Sequence, residues 1–397
     1  MTSGPPVPPA LPHPSGVPAE RAYLDASTVA PLHPSGREAW LAALDEGWAD
    51  PRRLHREGRS ARLLLEGARE SIAADLGART EELVFTGSHT GAVHAAVLGT
   101  LRARHRVGQR VVLSAVEHSA VLHAVEFGGA ATQVGVDRLG QVDLAAFGAA
   151  LKEDGVALAC LQAANGEVGT IQPIASALEA SQASQVPLLV DAAATAGHAA
   201  LTEDWDLLTA DPRSWGAPDG LGVLAVAANT RWVSPYPADE DTERIPGSVS
   251  VPAALAAAVA LRVVTAQRNQ LDQLRRELTG RIRAAASTIP DTEVVGDPDR
   301  RLPHLVTFSC LYVDGEAIVD DLDRQGFAVG SGSACTASTL EPSHVLAAMG
   351  VLTHGNIRIG LPADVPGELL TEQVERFCAV LPESVARVRA MLGADDL

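Results

Sequence analysis

The chain has 397 residues, 46% hydrophobic and 20% charged, which suits two domains or one large one and argues against extensive disorder. A formal charge of -18, with no Lys/Arg cluster interleaved with aromatics, argues against binding a nucleic-acid backbone. One lysine, Lys152, stands among 31 basic residues, and every amine-dependent chemistry has to be weighed against that count.

Residues 1–20 are rich in proline, lack a basic start and a long apolar run, and read as a disordered tail rather than a signal peptide. No stretch reads as a membrane span. Helices are predicted over 35–46 and 60–76, the second from Leu63, Leu64, Ala68, Ile72 and Leu76 at helical spacing before Gly77. Arg52, Arg53, Arg56, Arg59 and Arg62 read as a solvated basic face. From residue 82 onward strand and helix alternate. Strands are predicted over 82–85, 110–113, 131–136, 156–161 and 186–190. Helices are predicted over 118–128, 144–154 and 174–184, with a turn at 86–92 leading into an Ala-rich helix.

That order predicts an α/β fold, a mostly parallel sheet covered on both faces, with ligands collecting at the carboxyl ends of the strands. Residues 206–222, DLLTADPRSWGAPDGLG, read as a loop before the strand VLAVAA, and 235–247 as an acidic loop. A helix over 251–287 leads to a second pattern with strands at 293–295, 305–309 and 356–359. Helices follow at 316–325, 343–349 and 366–392. The division expected is a large domain over 21–260 and a small α+β domain over 261–397.

Asp191, at a strand end beside three alanines, suits holding a ring nitrogen protonated, and suits a turn or N-cap equally well. Thr86, Ser88 and Thr90 sit where a strand turns into a helix, a place with free N–H groups for a phosphate or simply for capping. His118 opens a helix and reads as structural when taken alone. Arg358 ends a short strand and has the planar fork for a carboxylate. Four cysteines lie far apart with no C-x-x-C pair, which excludes the usual zinc and dithiol spacings and suits a reducing cytoplasm. Cys335, within GSGSACTAST, is placed to be exposed and reactive, whereas Cys160, Cys310 and Cys378 fall in apolar patterns and read as inert.

The segments AYLDASTVAP, LHREGR, FTGSHTGA, EHSAV, NGEVGTIQPI, LLVDAAATAG, GSGSACTASTLEPSHVL and NIRIGLP together resemble the cysteine desulfurase family, pyridoxal-phosphate enzymes of the class V aminotransferase fold. The resemblance implies a homodimer that handles cysteine and passes sulfur from a loop cysteine to an acceptor protein. Carried over, it implies Cys335 as persulfide cysteine, Arg358 and Asn165 as substrate-binding, and His118 as the ring-stacking and catalytic histidine. Asp191 becomes the pyridine-nitrogen partner, Thr90 a phosphate ligand, and Ser248 the residue that reaches the neighbouring subunit's phosphate. Arg213 and Ser214 fall where the family has its histidine and its Schiff-base lysine, with Asp211 at the family's serine.

Gly166, Ala194 and Gly91 are further departures. Lys152, between two strands on an outer helix, cannot supply the missing amine. Two readings of function remain: a degenerate desulfurase that carries sulfur on Cys335, alone or paired with an active partner, and an active one using non-covalently held pyridoxal phosphate. A third is a structural or partner subunit. No metal site is expected.

Overall fold

The computed structural model describes residues 21–201, 204–237, 244–331 and 342–393. Cys335, the tail 1–20 and part of the acidic loop lie outside them. Elements in chain order are β1 (Ala22–Tyr23), α1 (Pro34–Glu46), α2 (Arg56–Asp75), β2 (Leu83–Thr86), α3 (His89–Ala103), β3 (Arg110–Ser114), α4 (Ser119–Gly128), β4 (Ala130–Val134), α5 (Leu144–Ala150), β5 (Val156–Gln162) and α6 (Ile174–Ala183). After them come β6 (Leu188–Asp191), β7 (Leu207–Ala210), β8 (Gly222–Val226), α7 (Val251–Ser287), β9 (Thr292–Val295), β10 (Leu305–Cys310), α8 (Gly315–Arg324), β11 (Phe327–Ala328), α9 (His344–Met349), β12 (Asn356–Gly360) and α10 (Gly367–Met391).

The main sheet has seven strands in the order β2-β8-β7-β6-β5-β3-β4. All pairs are parallel except those made by β8, which runs antiparallel to both neighbours. Its strands are apolar on both sides because both faces are covered. On β5, Leu158 and Cys160 pack with α3 and α4, while Ala159 and Leu161 pack with α2, α5 and α6. On β8, Leu224 and Val226 join the first group, and Val223 and Ala225 the second.

A second core gathers the antiparallel sheet β12-β10-β9, helices α8 and α10, and the far half of α7. Ala22 and Leu24 join it through β1, which pairs in parallel with β11. Both chain ends therefore build this core, and α7 runs through both cores.

Three expectations are corrected in detail. The 206–222 stretch is not all loop: β7 fills the gap between β6 and β8, and its register is set by those neighbours. The second helix starts at Arg56, because the His55 side chain accepts from the Gly58 N–H and caps it there. Helix α7 has the length and apolarity of a membrane span, contrary to the first reading, but half of its apolar window is buried in the protein, as suits a core helix.

Candidate active site

The carboxyl ends of β5 and β6, the turn after β2 and the starts of α3 and α4 converge on one cavity of about 470 Å³. Its wall includes His89, Thr90, Glu117, His118, Asn165, Glu167, Asp191, Asp211, Arg213, Ser214, Ser343, His344 and Arg358. Every expected site residue that is described lines it except Ser248. That residue lines a separate groove with Trp48 and Arg52, so a single chain does not bring it to the others.

Asp191 ends β6 and is 4% exposed. Its Oδ1 accepts from three donors: His89 Nε2 at 2.9 Å, the Ala193 N–H at 3.0 Å and Thr209 Oγ1 at 3.2 Å. Burial alone would raise its pKa, but the charge and hydrogen bond of His89 outweigh this and hold the carboxyl below its usual range. His118 caps α4, its Nδ1 accepting from the Ala120 N–H at 3.1 Å. Surrounding protein pulls its imidazole below the ordinary value, so the neutral ring carries its proton on Nε2. His89, His118 and Asp191 are close enough to suggest a metal cluster. The donors on Asp191 Oδ1 and the cap bond on His118 Nδ1 occupy those two atoms, which leaves a cation only His89 Nδ1 and the second Asp191 oxygen.

Asp211 accepts two hydrogen bonds from the Arg213 guanidinium, at 3.1 Å from Nε and 2.8 Å from Nη2. It also caps the short helical turn Pro212–Trp215 through the Arg213 N–H. Ser214 is buried and its Oγ donates to the Asp211 carbonyl at 2.9 Å. The His198 Nε2–H donates to the Ser214 carbonyl at 2.8 Å, fixing the backbone of the turn from behind. Gly216 closes the turn at φ 84°, where a Cβ would lie 2.8 Å from the Pro31 carbonyl. Lys152 is exposed in the turn between α5 and β5 rather than on the helix expected there, at the amino end of β5, whereas the cavity lies at the carboxyl ends of the strands.

Asn165 spends its amide on its own surroundings. Nδ2 donates to the Val116 carbonyl, and Oδ1 accepts from the Glu167 and Val168 N–H groups. Arg358, 8% exposed, lies 3.6 Å from Asp25, and its buried Nε has no hydrogen-bond partner among the described residues. The described chain stops at Ser331 and resumes at Pro342, and Pro342 and Ser343, on the far side of the Cys335 segment, line the cavity. Ser343 Oγ donates to Glu167 at 2.8 Å, and His344 Nε2 to the Glu117 carbonyl at 3.0 Å. Cys160 and Cys310 are buried as expected, whereas Cys378 is only partly so; burial raises the pKa of all three thiols.

The class-V aminotransferase family model matches residues 22–368. A cysteine desulfurase from Dictyoglomus turgidum is 33% identical over 352 residues, covering 85% of this chain and 89% of the relative. One from Nostoc is 34% identical over 396 residues, covering 93% and 94%. The chain belongs to the cysteine desulfurase family. A solved NifS-like protein from Rickettsia africae shares the fold at TM-score 0.82 and 21% identity, over 92% of this chain and 99% of that one.

Two residues of this desulfurase-family site escaped the sequence reading, His89 and Glu117. The first sits inside the TGSHTGA turn, and its only signal was a titratable ring among small residues. The second immediately precedes His118. Glu117 is fully buried, with Oε1 accepting from the Gln162 N–H and Oε2 without a partner among the described residues. Burial pushes its pKa up to about 8.

The unfolded chain releases this proton near pH 4.5 whereas the fold keeps it up to about 8, so stability falls as pH rises across that window. The expected result is that E117Q flattens the decline of stability across that window. Urea unfolding of native and E117Q chains at pH 5 and pH 8 checks it. An equal decline in both would remove Glu117 as the cause.

Proposed function

We propose that this chain is a sulfur carrier of the cysteine desulfurase family, working through Cys335 and without a lysine-tethered pyridoxal phosphate. The observation that carries this reading is Ser214. It occupies the position matched to the Schiff-base lysine, its Oγ is bonded to the Asp211 carbonyl, and the single lysine is at the amino end of β5, away from the strand ends that carry the cavity. General acid–base help of the kind such a lysine gives is worth about a hundredfold to ten-thousandfold, so its loss is severe.

The remaining residues also fit the cofactor poorly. Asp191, matched to the pyridine-nitrogen partner, already accepts from His89, and Asp211, at the family's serine, adds to the cavity wall a carboxylate that would repel a phosphate. Non-covalent binding of the cofactor is disfavoured on the same grounds.

In this role a persulfide donor gives its outer sulfur to the Cys335 thiolate. One S–S bond breaks, another forms, and the donor leaves as a thiolate. Ser343 and His344, bonded to the Glu167 side chain and the Glu117 carbonyl, moor the chain on one side of that segment. Cysteine-derived sulfur, an acceptor protein, a homodimer or pairing with an active desulfurase, and a cytoplasmic location complete the proposal. The exposed Trp48 and Leu54 near the Ser248 groove agree with a dimer.

The test uses the full chain. Borohydride reduction after incubation with pyridoxal phosphate is expected to leave no adduct at the site, and a persulfide donor is expected to place sulfane sulfur on Cys335, mapped by peptide mass spectrometry. A reducible adduct at the site, or no sulfur on Cys335 from either cysteine or the donor, sinks the reading.

A further inference from the structure

We propose that His89 and Asp191 form a general-base dyad that deprotonates the thiol of a small carboxylate-bearing ligand in the cavity; the choice of a thiol rests on the sulfur-carrying role proposed above.

The geometry has the parts that a base needs. Asp191 is a pure acceptor when ionised, so the 2.9 Å contact fixes His89 with its proton on Nε2. The lone pair is then on Nδ1, which makes no hydrogen bond among the described residues, while the ring lines the cavity. Thr209 and the Ala193 N–H hold the carboxylate still from other directions. Base, orienting carboxylate and open reaction space are thus assembled without any lysine.

The charges around His89 come from Asp191 at the end of β6, Asp211 and Arg213 on the Pro212–Trp215 turn, and the neutral His118, whose ring stands edge-on at 5.4 Å. Burial pulls the His89 pKa down. The charge and hydrogen bond of Asp191 outweigh this and leave it above the ordinary value, closer to that of a thiol. Its place in the first turn of α3, the positive end of the helix, opposes a permanent charge. A base is most useful when its pKa lies near that of its substrate, and the net upward shift moves His89 in that direction.

The carboxylate reader is Arg358, on the same cavity wall, its buried Nε without a hydrogen-bond partner among the described residues. In the step itself the S–H bond breaks, the proton goes to Nδ1, and the sulfur keeps the electron pair. The imidazolium formed is stabilised by Asp191. No oxidant or reductant is required.

The experiment uses full-length C335S, so that failure of sulfur transfer through Cys335 and failure of the dyad are separate results. The probe is 3-mercaptopropionate, its binding measured by calorimetry and its thiolate by ultraviolet difference absorbance against pH. The bound thiol is expected to ionise roughly tenfold more than the free thiol at neutral pH, a shift of about one pKa unit.

H89Q is expected to abolish this with affinity kept within about threefold, since one neutral hydrogen bond is worth little more than that. D191N is expected to move the ionisation midpoint back toward that of the free thiol, which also decides the matter if H89Q does not fold. R358K is expected to weaken binding without changing the fraction ionised per bound ligand. Equal ionisation in H89Q and its parent, no binding of the thiol, or ionisation abolished by a chelator, which would indicate a bound metal, overturns the proposal.

Discussion

S214K is expected to give this chain what the native sequence lacks, a covalent, borohydride-reducible adduct with pyridoxal phosphate at position 214. Ser214 is buried on the cavity wall and gives up only one hydrogen bond, to the Asp211 carbonyl. A lysine there can extend into a cavity of about 470 Å³, beside the carboxylates of Asp191 and Asp211. Those carboxylates favour the charged ammonium, which is not nucleophilic, and Arg213 opposes them.

The adduct is therefore expected to form slowly at neutral pH and faster as pH rises. Adding H89A, which frees Asp191 Oδ1 from His89, is expected to increase its yield. The native chain under the same conditions is expected to show nothing at this position. Mass mapping after reduction reads both results once circular dichroism has shown the variants folded. An adduct in the native chain, or none in folded S214K and S214K/H89A at any pH, would show that the missing amine is not what keeps the cofactor off position 214.

How much of this was legible beforehand depends on the range of the interactions involved. Helix α7 matched its expected bounds because its signals are local: Ser250 caps it, Pro252 sits in its first turn, and apolar residues run at helical spacing. The sheet was legible because burial on both faces makes β5 and β6 continuous apolar runs.

Strand β7 was missed because four residues in an Asp-rich stretch carry little signal, and β6 and β8 impose the extended form. The two-residue pairing of β1 with β11 joins Ala22 to Phe327, a contact that no window along the chain can see. The site divides in the same way. The strand-end rule gathered Thr90, His118, Asn165 and Asp191, whereas the bond from His89 to Asp191 spans 102 residues and exists only once β2 and β6 are in one sheet.

W215A is expected to cost about 3–5 kcal/mol of stability, the range for removing a large buried aromatic. Trp215 is 1% exposed and packs in the main core, and its Nε1–H donates to the Ala257 carbonyl of α7 at 3.1 Å. Truncation leaves a cavity and removes that donor, and the apolar wall on α7 cannot collapse far, because α1 and α2 pack on the same helix.

F127A supplies the contrast. Phe127 is 85% exposed, so its loss is expected to stay within about 0.5 kcal/mol. Urea unfolding of the two variants beside the native chain gives the comparison, and a W215A loss below about 1 kcal/mol would contradict the packing described. The turn carrying Arg213 and Ser214 is held by Trp215 on one side and by His198 on the other. Loss of the first is therefore also expected to weaken ligand binding in the cavity under conditions where W215A is still folded, since the ion pair of Asp211 and Arg213 is built on that turn. Unchanged binding in folded W215A would show that His198 and the Asp211 cap hold the turn by themselves.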